Sequence, residues 1–377
     1  MYIDNDAQLQ EFCTSIKDAD FIAVDTEFMR EKTYFPVLCL VQIAAKDQIA
    51  CIDPLALKDF EPMLELFRDA SITKVLHSVS QDMEVFLHTF DCLPAPVYDT
   101  QIAASLTGMG EQVSYANLVN EMLGVTLDKS HTRTDWSRRP LDPAQLKYAA
   151  DDVRYLAAFY PKQRQALEEK GRLDWLQSDF AAIVEEKRYR PDAENAWKRV
   201  KGFKRLSGEE LAVLKTLAQY REQQAMKANR PRRFILSDDL LLDLVRARPK
   251  TIQDIERRRG FAPGLIKRHG QAFLDCVQQG LALPKEQWPE PGKGKPLSDN
   301  QEVVADVLMA LLKQQAKRNN VSVASLANRK EVERLACGKR DMALLSGWRY
   351  ELGGKALLAF LQGESSIKID GNQLLLA

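Results

Sequence analysis

In the first quarter of the chain, short β-branched apolar runs alternate with segments of helical periodicity. Phe21–Val24, Val37–Ala45 and Gln48–Asp53 read as strands bounded by Pro or charged residues. Thr73–His77 and Val97–Asp99 add two more strands, with helices predicted over Phe60–Arg68 and Met83–Phe90. Three strands in close succession, then helices alternating with strands, predict an α/β fold: a mixed sheet flanked by helices. From Ser114 to about Lys170 the pattern turns helical.

Beyond Pro191 no strong strand is predicted. Leu211, Leu214, Leu217 and Ala218 recur at helical spacing, as do Leu240, Leu241, Leu244 and Val245. Pro231, Pro249 and Pro263 punctuate this stretch into a small bundle. Leu283–Pro296, dense in Pro and Gly, reads as a linker. Val303–Lys317 opens a second helical unit that ends near Gly363. The two units share an order of events: long helix, basic turn, short helix, Gly-containing turn and last helix. That order is either a weak internal repeat or the ordinary likeness of two bundles. The expected domains are residues 1–190, 205–284 and 297–365.

A chain of 377 residues exceeds one ordinary core. Its 45% hydrophobic and 28% charged residues suit a water-soluble globular protein. No apolar run reaches the ~18 residues that span a bilayer, and no signal peptide is visible. The six cysteines are scattered, which argues against zinc and against a disulfide framework. A cytoplasmic protein with no membrane partner, acting as a monomer, is expected.

The net charge of zero hides an asymmetry. Residues 1–190 carry 20 basic against 31 acidic side chains, and residues 191–377 carry 33 against 22. The stretch Lys198–Arg268 alone holds 19 basic and 8 acidic residues. An acidic half joined to a basic segment suits metal bound in one place and a polyanion in another; solvated helix faces give the same count.

Candidate chemistry sits in the acidic half. Asp25 and Glu27, two apart on a predicted strand, project to one face, where two carboxylates can share or bridge metal ions; a strand turning polar as it leaves the core reads the same way. Asp82 follows the strand ending at His77, with Ser78 or Ser80 available as helix cap. There an acid serves either a site or the helix dipole. Tyr148 and Asp152 lie one helical turn apart beside the stripe of Ala149, Val153, Leu156 and Tyr160. Asp151 competes with Asp152 for the role. Carboxylates gathered from distant segments repel one another unless a cation lies among them, and hard cations such as Mg²⁺ take oxygen ligands. His77 and His88 have no partner at metal-ligand spacing and read as structural rather than as ligands, with His77 kept as a candidate substrate contact.

Together these clusters resemble the DEDD 3′→5′ exonucleases of the tyrosine subclass. Asp25/Glu27, Asp82 and Tyr148/Asp152 fill the D-x-E, single-Asp and Y-x-x-x-D motifs in order. The Tyr spacing then selects Asp152 over Asp151. The runs Asp25–Arg30, Thr33–Pro36 and Leu127–Leu141 extend the likeness to the ribonuclease D family.

That resemblance implies an RNase H-like exonuclease domain followed by two all-α HRDC-type domains, the first basic and RNA-binding. It implies two-metal hydrolysis with Mg²⁺, or Mn²⁺, held by Asp25, Glu27, Asp82 and Asp152. Tyr148, whose phenol ordinarily titrates near ~10, would orient the attacking water. The expected substrate is RNA trimmed from the 3′ end to nucleoside 5′-monophosphates, tRNA precursors and other small structured RNAs included. A proofreading DNA exonuclease or a silent RNA-binding protein would share the motifs. The loop Lys129–Arg139 reads as a substrate-strand clamp carrying Lys129, Arg133, Arg138 and Arg139. Trp136, Phe28 and Tyr34 would either stack on the substrate or pack in the core.

Overall fold

The computed structural model describes residues 1–110, 112–127, 134–290, 297–371 and 373–376, which fall into two compact units. The first unit comprises Met1–Met29, Leu38–Tyr189 and Leu297–Ala377. Its six-stranded sheet is built from β1 (Tyr2–Ile3), β2 (Phe21–Met29), β3 (Val37–Ala45), β4 (Gln48–Ile52), β5 (Thr73–Leu76) and β6 (Val97–Asp99). The strand order is β1-β4-β3-β2-β5-β6. Pairing is parallel for β1–β4, β2–β5 and β5–β6 and antiparallel for β3–β4, so the sheet is mixed.

Helices cover both faces, as the two-sided apolar character of β2 and β3 requires. On one face Ile22, Val24, Val41 and Ile43 pack with α1 (Asp6–Ile16), α2 (Glu61–Arg68) and α3 (Ser80–Phe90). On the other, Ala23, Ala44 and Val75 pack with α4 (Thr100–Thr107), α5 (Tyr115–Leu123) and α6 (Pro143–Glu169). The 27-residue α6 starts at a capping box between Asp142 and Gln145.

The C-terminal helices complete this second face. After α7 (Gln177–Ile183), the first unit resumes with α13 (Asp299–Arg318), α14 (Val323–Leu326) and α15 (Arg329–Ala336). Next come α16 (Gly347–Arg349), a π turn and α17 (Lys355–Leu361). Leu308, Leu311 and Leu312 share one core with Val153 and Leu156. The indoles of Trp175 and Trp348 stack at 5.3 Å and 8°, and Arg349 pairs with Asp179 at 3.0 Å. A hairpin that the apolar pattern did not predict closes the chain, β7 (Ile367–Asp370) against β8 (Gln373–Leu376).

The second unit comprises Arg190–Pro296 and the short segment Arg30–Val37. Its helices are α8 (Gly208–Lys227), α9 (Arg232–Ile235), α10 (Asp238–Ala247), α11 (Ile252–Glu256) and α12 (Pro263–Ala282). Helices α8 and α12 pack so closely that a Cβ at Gly280 would lie 2.5 Å from the Val213 Cα. Element order in α8–α10 and α13–α15 repeats, with twenty-residue first helices and four-residue second helices in both.

Candidate active site

Strand alternation divides the acidic motif between the two faces of the sheet. Asp25 and Glu27 continue the register of Ala23, which packs toward α6. Thr26 continues that of Ile22 and Val24, which pack toward α3. The hydroxyl of Thr26 donates to Oδ1 of Asp82 in the first turn of α3. Asp82 is buried in that first turn.

The amides that open α3 are not capped by Ser78 or Ser80, in contrast to the sequence expectation. Asp99 at the end of β6 accepts from the backbone N–H of Ser78 and of Val79, both at 3.1 Å, and from Gln101 at 2.8 Å. One carboxylate thus fixes two helix starts, and the Asp82 turn is set by β6 rather than by its own serines.

Helix α6 resolves the choice between neighbouring acids. Asp151 pairs with Lys147 at 2.7 Å and Arg154 at 3.1 Å along the helix surface. Asp152, half-buried, faces the strand acids. The Tyr115 hydroxyl donates to the Asp152 carbonyl and fastens α5 to α6 at this position. Tyr148, one turn earlier, is half-buried with its ring 6.3 Å from that of Trp136.

The two strand acids feel the charges of the two helix acids. Burial, then Asp152, Asp82 and Glu27, push Asp25 far above the usual carboxylate range. Burial, then Asp152 and Asp82, push Glu27 up to about 8. Asp82 is raised to about 7 by burial, against the lowering effect of the Thr26 bond. Asp152 is raised to about 7 by burial and Asp151. Among the described residues no three acids or imidazoles close into a tight ligand cluster. Asp82 and Asp152 are electrostatic neighbours of both strand acids. An all-oxygen donor set whose charged forms are mutually unfavourable fits hard divalent cations.

Other candidate residues fall in different places. Phe28 packs, partly buried, against the core under α1–α3. His77 meets the Thr100 hydroxyl through Nδ1 at 3.0 Å and lies edge-on to Tyr115 at 5.5 Å. Trp136 is buried with Cys39, Leu40, Leu141 and Ala149. Tyr34 is buried in the second unit, where its hydroxyl donates to Glu222, so it packs rather than offering an open stacking face. Lys129 and Arg133 lie outside the described residues. The clamp reading of Arg139 is overturned: its guanidinium grips the buried Asp53 at 2.5 and 2.6 Å and donates to the Cys39 carbonyl at 2.7 Å. Those bonds staple the loop to the sheet.

Sequence reasoning missed Thr26, Asp99 and Tyr115. Thr26 stood inside the motif but on the other face. Asp99 and Tyr115 carried no local signal beyond a strand end and a helix start.

Acids on the central strand β2, an acid in the first turn of α3 and a Tyr-x-x-x-Asp spacing on α6 over the same sheet are the arrangement expected of a 3′→5′ exonuclease. Residues 1–168 match the 3′-5′ exonuclease family model, and residues 210–277 match the HRDC domain. Ribonuclease D of Sphingobium indicum is 39% identical over 371 residues, covering 97% of this chain and 95% of the relative. That of Gluconacetobacter diazotrophicus is 37% identical, covering 94% and 91%. The crystal structure of Escherichia coli RNase D, described as an exoribonuclease involved in structured RNA processing, aligns with a TM-score of 0.84 at 33% identity. It covers 96% of this chain and 98% of that one. The chain belongs to the ribonuclease D family of 3′→5′ exoribonucleases.

Proposed function

We propose that this protein trims the 3′ ends of tRNA precursors and other small structured RNAs, releasing nucleoside 5′-monophosphates. The observation that carries this reading is that Asp25 and Glu27 share one face of β2 and that the charges of Asp82, from α3, and Asp152, from α6, both bear on them. These four would hold two divalent cations, Mg²⁺ or Mn²⁺. Bound there, the cations would supply Lewis acidity and charge neutralisation at a phosphodiester.

The chain's own groups supply orientation. Thr26 holds Asp82 by its Oδ1, and Asp99 holds the turn beneath it. Tyr115 holds the backbone of Asp152. Tyr148 would present its phenol to the attacking water from one turn below Asp152. The domain at 205–284, with the basic stretch Lys198–Arg268, would hold RNA, and such phosphate binding weakens with salt. The helices at 297–365, which share a core with α6, would be a second bundle of the same type, and a monomer would suffice for the reaction.

The test incubates the full chain and Mg²⁺ with a 5′-labelled tRNA bearing a 3′ extension, alongside its DNA counterpart. Stepwise shortening of the RNA with nucleoside 5′-monophosphates as products is expected. Faster trimming of DNA, 3′-monophosphate products or an intact RNA would each overturn the reading.

A further inference from the structure

The segment Arg30–Val37 follows the acidic strand yet packs as part of the helical unit. A buried polar network holds it there. Tyr34 donates through its hydroxyl to Glu222 Oε1 at 2.5 Å, and Arg232 donates to the same oxygen at 2.7 Å. Glu222 is fully buried, and Arg199 approaches it at 3.5 Å. The Arg232 guanidinium also lies over the Tyr34 ring, 5.1 Å from its centroid. Asn229 Oδ1 accepts from the backbone N–H of Tyr34 and of Phe35 at 3.1 and 3.0 Å. These bonds fix the inner side of the corner within the unit.

The outer surface of the corner carries cations and an exposed ring, with a cavity beside it that neither Phe234 nor Arg230 lines. The cavity, about 410 Å³, is lined by Arg30, Glu31, Thr33 and Tyr34 of the segment and by Arg232 and Arg233 of α9. Arg232 is committed to Glu222. Arg233 is exposed, and its guanidinium lies over the Phe234 ring, 5.4 Å from its centroid. Phe234 is 57% exposed, a large aromatic displayed on α9, and Lys227 at the end of α8 and Arg230 in the connection between the helices also face solvent. An aromatic face edged by guanidinium groups is the arrangement on which unpaired bases stack while their phosphates are neutralised.

The larger basic cavity of the same unit, about 710 Å³, is lined by two acids where the smaller one has Glu31. Asp243 and Asp254 line it among the arginines, no aromatic does, and Arg258 is paired with Asp243.

We propose that the corner formed by Arg30–Val37 and α9 binds an unpaired RNA nucleotide, its base stacked on Phe234 and its phosphates held by Arg233 and Arg230. The proposal rests on RNA being the substrate. It adds that recognition is of single-stranded, not duplex, RNA.

The test measures affinity of the full chain for a labelled hairpin RNA with a single-stranded 3′ tail and for the same hairpin with a blunt end. Asp25→Asn serves as the background so that RNA is not consumed. Phe234→Ala and Arg233→Gln are each expected to weaken tailed-RNA binding on the order of tenfold, about one lost stack or contact, with little effect on the blunt hairpin. Phe234→Tyr is expected to restore the affinity, and Arg257→Gln, an equal loss of charge elsewhere, to leave it near the parent value. Unchanged affinity in Phe234→Ala, equal losses on both RNAs, or an equal loss in Arg257→Gln would overturn the site. Turnover by the unmodified chain is scored separately. Failure to shorten the tailed RNA would sink the trimming reading, while the affinity pattern would still establish the binding site.

Discussion

Thr26 donates its hydroxyl hydrogen to Asp82, joining the residue between the two strand acids to the acid on helix α3. Both partners are buried, so neither has water to replace the other. Replacing Thr26 with Val should lower kcat and cost about 1–3 kcal/mol of stability, the range for a buried acceptor left without its donor. Thr26→Ser should recover most of both. Full turnover in Thr26→Val would show that Asp82 is oriented by something else.

Removing Asp25, a strand acid that feels the charges of both helix acids, separates stability from activity. Asp25→Asn is expected to abolish Mg²⁺-dependent RNA trimming and to stabilise the chelator-treated protein at pH 8. Each kcal/mol relieved should raise the melting temperature by roughly 2–4 °C for a unit of this size. The unmodified chain should gain stability on adding Mg²⁺, and the variant less. A variant no more stable than its parent without metal would count against that repulsion.

Arg139 provides a test of a corrected reading. Its partner Asp53 is almost fully buried, and Tyr2 donates to the same carboxylate at 2.5 Å. Arg139→Ala should cost about 3–5 kcal/mol of unfolding free energy, because it leaves a buried charge without its counterion. RNA affinity of the folded protein should stay close to wild type. A large affinity loss with unchanged stability would restore the clamp.

Glu222 sets an acid limit on the helical unit. Burial raises its pKa, but the bonds from Arg232 and Tyr34 and the charges of Arg232 and Arg199 outweigh that and hold it below the usual range. Because the folded value lies below the unfolded value of ~4.3, its contribution is fully present above that pH. It is lost as pH falls through the folded value. Urea unfolding of wild type and Glu222→Gln should therefore show a stability gap at pH 7 that narrows as pH drops below ~4. A gap independent of pH would mean that Glu222 acts by packing alone.

Periodicity located the five longer strands to within a few residues at most ends and found the long helices. Strand β1, two residues long, and the β7–β8 hairpin were invisible because neither carries an apolar alternation long enough to stand out. The break between helical bodies was legible at the Pro- and Gly-rich linker. That the last helices share a core with α6 was not, since apolar helix faces do not name their partners.

By itself, the sequence determined the local spacing of the side chains proposed for the site. Two-residue spacing on a strand brings Asp25 and Glu27 to one face, and four-residue spacing on a helix stacks Tyr148 with Asp152. Both follow from local geometry. Tertiary structure alone decided what holds those side chains and what else they do. Thr26 reaches Asp82, Asp99 caps α3 from β6, Arg139 serves Asp53, and Tyr34 joins the helical unit. Each of these pairings spans tens of residues or more, and no local period records a contact made by the folding of distant segments onto one another.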